Sequence, residues 1–118
     1  MTNLEFEKIT AQSVKDLPQF FKNKMENIII IVSDTPTRAL ERKMGQGLLG
    51  LYEGVPLSER GYGYSGFMPD KITLFKKNIE AICSNEERAR EEIRHVVIHE
   101  IAHHFGITDE ELREQGIY

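Results

Sequence analysis

The residues best suited to chemistry lie together near the end of the chain, in Val96-Val97-Ile98-His99-Glu100-Ile101-Ala102-His103-His104-Phe105-Gly106-Ile107-Thr108-Asp109. His99 and His103 are four apart, so on a helix they share a face and can aim two imidazole nitrogens at one metal ion. Glu100 is turned about 100° from His99, enough to flank that ion without ligating it. A carboxylate there can take a proton from water and pass it to a leaving amine. Zinc is the expected ion, although two imidazoles and a carboxylate also suit other first-row metals.

Catalytic zinc commonly has three protein ligands and an open position. Gly106 allows the chain to leave the helix axis, because glycine enters left-handed backbone without steric cost. Asp109, three residues later, can then return a carboxylate to the metal as third ligand. As the first residue of a following helix it would also favour the helix dipole, and Glu110 or Glu111 are the substitutes if it points outward. His95 lies a full turn before His99, and a straight helix seldom offers three ligands to one ion, so it reads as solvated or supporting. His104 points to another side of the helix, where packing or a backbone hydrogen bond is its ordinary use. Cys83 reads as a small buried apolar residue, with no His or Asp arrangement to make it nucleophilic.

These residues need a helix to carry them, and the sequence predicts one. Ser84-Asn85-Glu86-Glu87 reads as a capping box opening the longest helix, with Ala89, Ile93, Val96, Val97 and Ile101 facing inward and Gly106 as its stop. Thr108-Asp109-Glu110-Glu111 is a similar box for a short last helix containing Leu112. At the other end, Thr2-Asn3-Leu4-Glu5 starts a helix with Leu4, Ile9 and Val14 at loose helical spacing. Pro18 opens a second, which turns Phe20, Phe21 and Met25 inward. Ile28-Ile29-Ile30-Ile31-Val32 has no polar interruption and predicts a strand buried on both faces, at the centre of a sheet. Residues 37–47 read as a surface connection and 48–52 as a second strand. Residues 54–69, rich in glycine and proline, form a long irregular segment of the kind that is usually functional or disordered. Residues 70–76 read as a third strand, and 77–83 as a short helix. The fold class is α+β, a small sheet covered by helices in one domain over residues 1–118, with the metal-binding helix near the C-terminal end.

Composition narrows the function. With 118 residues and an apolar fraction of 40%, one core can form without staples. The formal net charge of −4, with no basic block, argues against nucleic-acid binding. The single cysteine cannot form an intramolecular disulfide, which fits a reducing compartment. No signal peptide is visible in Met1-Thr2-Asn3-Leu4-Glu5-Phe6-Glu7-Lys8, and no apolar run approaches the ~20 residues of a membrane span. A cytoplasmic location is expected, and no oligomeric state is indicated.

Taken with Leu49-Gly50-Leu51-Tyr52-Glu53-Gly54-Val55-Pro56-Leu57, Arg60, Gly63-Tyr64, Gly66 and Pro69-Asp70-Lys71-Ile72-Thr73-Leu74-Phe75, the His-Glu-x-x-His-x-x-Gly-x-x-Asp pattern resembles the minimal zincin-like metallopeptidases of bacteria. The resemblance implies a compact zincin core without a large second subdomain. It also implies an edge strand before the active-site helix to which an extended substrate adds. Residues 72–75 are the candidate for that strand, with Thr73 and Leu74 as substrate-binding residues. An ordinary buried strand is the equal alternative, since periodicity does not tell an edge from a centre. Tyr64, Tyr62 or Arg60 would act on the scissile carbonyl from the glycine-rich segment. No methionine follows the motif, so Ile117, Tyr118 or the N-terminal helices would have to floor the site.

The expected activity is hydrolysis of a peptide bond in a peptide or protein substrate, with zinc as cofactor and Glu100 as general base. The alternative is a non-catalytic, zinc-containing regulatory module that binds a partner. A base at Glu100 argues against that alternative, since a structural site needs none.

Overall fold

The computed structural model describes residues 1–54, 69–114 and 116. Thr2 opens α1 (Asn3–Lys15) with the expected capping box: its hydroxyl accepts the Glu5 N–H, and the Glu5 carboxylate accepts the Thr2 N–H. The inward row is Phe6, Ile9, Thr10 and Ser13, whereas Leu4 is 62% exposed. Phe6 anchors this helix, because the i, i+3, i+4, i+7 row runs through it and not through Leu4. The Thr10 and Ser13 hydroxyls donate to the carbonyls of Phe6 and Ile9, each at 2.8 Å, so neither is buried without a partner. Pro18 stands at the N-cap of α2 (Gln19–Lys24), which buries Phe21.

The sheet reverses the roles expected of two strands. β1 (Ile28–Ser33), β2 (Gly50–Glu53) and β3 (Asp70–Phe75) lie in the order β1-β3-β2. β1 runs parallel to β3 with Ile28 opposite Asp70, and β2 runs antiparallel to it with Tyr52 opposite Ile72. Among the described residues the isoleucine run is therefore an edge strand and not the centre: Ile29 and Ile31 are 46% and 37% exposed. The centre is β3, where Ile72, Thr73, Leu74 and Phe75 are all buried. An apolar run reports burial only when neighbours cover it, and neighbours are a long-range property. With both edges of β3 paired, Thr73 and Leu74 cannot receive a substrate strand, and that expectation is corrected.

Residues 37–47, where the sequence predicts a surface connection, include a helix. Thr37 caps α3 (Arg38–Met44), and none of its residues is buried, so no apolar stripe announced it. The short α4 (Lys76–Ile82) follows β3 directly. Then comes α5 (Glu86–Phe105), whose cap is Asn85 and not Ser84: the Asn85 side chain accepts the Arg88 N–H at 2.9 Å. Ala89, Ile93, Val97 and Ile101 of α5 are fully buried and share the core with Phe6, Ile9, Phe21, Ile72 and Leu74. Ser13 fastens α1 across α5 by donating to the Arg90 carbonyl. The result is a small α+β fold in which α5 is gripped along one side and free to present the other.

Candidate metal centre

Burial of Ile98, Ile101 and Ala102 fixes the rotation of α5, and that rotation decides what its other face shows. His99 and His103 are exposed on that face, their ring centroids 4.1 Å apart and tilted by 51°. Ligand atoms of His99, Glu100 and His103 all lie within 4.8 Å of one another, the one such grouping of potential ligands among the described residues. Two imidazoles converging beside a carboxylate are a donor set that zinc accepts. The site's chemistry therefore fits a metal.

Glu100 is held from outside the helix. Its Oε1 accepts the backbone N–H of Tyr52 at 3.1 Å, a contact spanning 48 residues. Because that backbone N–H turns toward α5, it points away from β3, in agreement with the outward partner of each antiparallel alternation. Leu49, on the other parity, gives its carbonyl to Phe75 N–H. β2 is thus the edge strand beside α5, and its outer side meets the carboxylate of Glu100.

Tyr52 is itself held by its ring and by its hydroxyl. Its ring stacks on His104, centroids 3.9 Å apart at 14°, and its hydroxyl donates to Asp70 Oδ2 at 2.7 Å. His104 Nε2 stands 3.9 Å from the same Asp70 oxygen. His104 is therefore a stacking partner of β2, which accounts for its place beside a potential ligand. The sequence did not single out Tyr52 or Asp70, since only the fold brings them to α5. Removing the hydroxyl in Tyr52→Phe should keep the stack and lose the Asp70 bond, costing about 1 kcal/mol. Calorimetry should register this as a melting point lower by roughly 3–6 °C.

After His103 the chain turns as the glycine predicted. Gly106 adopts φ 69°, ψ 27°, its N–H reaches the carbonyls of Ala102 and His103, and Ile107 N–H bonds Ala102 at 2.8 Å. Thr108 then caps α6 (Asp109–Glu114), accepting the Glu111 N–H and donating to the Glu111 carboxylate. Asp109 is the exposed first residue of α6 and lies outside the His99, Glu100, His103 grouping. Glu111 is engaged by its cap, and Glu110 is exposed. His95 stands one turn back, its ring 6.4 Å from that of His99. Burial pushes the Cys83 thiol up, with the Glu92 carboxylate adding to the effect, so it is no ready nucleophile. Arg60, Tyr62, Tyr64, Ile117 and Tyr118 lie outside the described residues.

Comparison with known families agrees with this geometry. The profile of a zincin-like metallopeptidase family matches residues 25–117, from before β1 to beyond α6. The chain belongs to that family of zincin-like metallopeptidases. No curated protein matches it. None of the described helices is long and apolar enough to cross a membrane.

Proposed function

We propose that the chain is a zinc-dependent peptidase that hydrolyses peptide bonds in a peptide or protein substrate. The observation that carries this is Glu100, placed among the His99 and His103 ligand atoms and steadied by Tyr52 N–H. His99 and His103 would hold the ion, with Asp109 as the third ligand at the far side of the Gly106 turn. Zinc, when bound, supplies Lewis acidity that polarises a carbonyl and acidifies water. Glu100 takes the proton of the attacking water and delivers it to the departing amine. An extended substrate would enter beside His99 and Glu100, where Leu48 and Leu49 line a groove. The net charge of −4 and the lack of a basic block support a protein that does not bind nucleic acid, and the single cysteine fits a cytoplasmic location.

The second reading is a non-catalytic zinc module that binds a partner, and the exposure of both imidazoles favours it. A carboxylate held beside them by a strand contact has no use in such a module, so hydrolysis is preferred. Metal content of the purified, zinc-supplied protein tests the centre. One zinc per chain is expected, with affinity reduced at least tenfold in Asp109→Ala. A chain that takes up no zinc would sink the peptidase reading. Undiminished affinity in the variant would move the third ligand to Glu110 or Glu111.

A further inference from the structure

A groove of about 360 Å³ opens beside His99 and Glu100 and runs back along α5 toward its N-terminus. Leu48, Leu49 and Val96 line its sides, and Glu92 and His95 stand at its far part. The rim is built in advance of any ligand. The Asn78 side-chain amide donates to the Leu48 carbonyl at 2.7 Å, and Phe75 N–H donates to that of Leu49 at 2.9 Å. Gly50 lets this rim approach so closely that an added Cβ would lie 2.6 Å from Val96.

Among its described lining residues, the groove has one sign of formal charge. Glu92 is a carboxylate with 28% of its side chain exposed, and His95 Nδ1 is 4.0 Å from it, beyond hydrogen-bond length. Among the described residues, no lysine or arginine lines the groove. The arginine one turn earlier on α5, Arg88, is exposed and contacts Glu91 at 3.4 Å. An apolar trough ending at a partly desolvated carboxylate complements a side chain with an aliphatic stem and a cationic tip. Glu92 precedes His99 by seven residues, about 10 Å along the helix axis. That is about three residues of extended strand, within reach of a long side chain set one or two positions from the reacting bond.

We propose that this groove is a specificity subsite for lysine or arginine near the scissile bond, with Glu92 receiving the cation. The proposal rests on the peptidase reading and names its substrate class: peptides with a basic residue beside the cleaved bond. Leu48, Leu49 and Val96 take up the aliphatic stem, so a neutral residue of the same length also enters, more weakly.

The test uses the zinc-loaded full chain and two short peptide hydroxamates, identical except for lysine or norleucine at the residue next to the hydroxamate. Dissociation constants are measured by calorimetry, without any turnover. The lysine compound should bind roughly five- to tenfold more tightly, as suits one partly exposed charge pair. Glu92→Gln should erase that difference and leave norleucine binding unchanged, which also reports that the variant is folded. Glu92→Lys should reverse the preference. Equal binding of the two compounds to the wild type would overturn the proposal, as would a lysine preference that survives Glu92→Gln. Binding of both without discrimination leaves the metal centre standing and removes only the subsite. Binding of neither removes the open metal centre, and the subsite falls with it.

Discussion

Glu100→Gln should bind zinc with near wild-type affinity and lose hydrolysis by a factor of roughly 10²–10⁴. The amide has the shape of the carboxylate, and its oxygen can still accept the Tyr52 N–H that Glu100 Oε1 accepts at 3.1 Å. The fold around the site therefore has no reason to change. What is lost is the basicity that removes a proton from water. His99 and His103 remain on the same rigid helix, so the metal ligands are undisturbed. Zinc content and affinity, measured beside turnover of a peptide library, separate the two functions. Retained turnover in the variant would remove Glu100 as the base. Loss of both zinc and turnover would instead make Glu100 a ligand, since its oxygens lie within 4.8 Å of the imidazole nitrogens.

The parts of this centre that were legible in the sequence are those governed by local spacing. His99, Glu100 and His103 needed only a helix, and α5 carries its own signs in Ala89, Ile93, Val97 and Ile101, with Gly106 to end it. The Thr108 cap of α6 was readable for the same reason. The single misplacement there, Ser84 for Asn85, is one residue of register between two good capping side chains. What sequence could not give is sheet order. Four consecutive isoleucines outweighed the polar Thr73 and Lys71 in any estimate of burial, yet β3 is the covered strand and β1 the edge. Tyr52 escaped notice because its bonds to Asp70 and Glu100 and its stack on His104 join it to residues 18 or more positions away. Asp109 remains the residue whose role the local pattern proposes and its present place, at the head of α6, does not bring about.

A main-chain N–H cannot be mutated, so the hold of Tyr52 on Glu100 has to be tested by moving the strand that carries it. Gly50 offers the means. Its φ is not positive, so glycine is required there by close approach and not by backbone conformation. A Cβ at this position would meet Val96 Cγ1 at 2.6 Å and the Thr73 carbonyl at 3.2 Å. Thr73 belongs to the central strand and cannot give way, while Val96 is buried on α5 three residues before His99. Gly50→Ala should therefore drive β2 and α5 apart, with an overpacking cost of about 1–3 kcal/mol. Tyr52, two residues along β2, should then lose Glu100, and hydrolysis should fall at least tenfold, since misplacing a catalytic group by an ångström costs on that scale or more. Zinc affinity should change little, because His99 and His103 move together with their helix. A lower melting point with undiminished turnover would show that Glu100 finds its working position without the strand. A fall in turnover at near-constant zinc affinity would make β2 a positioning element of the reaction, as the contact between Tyr52 and Glu100 implies.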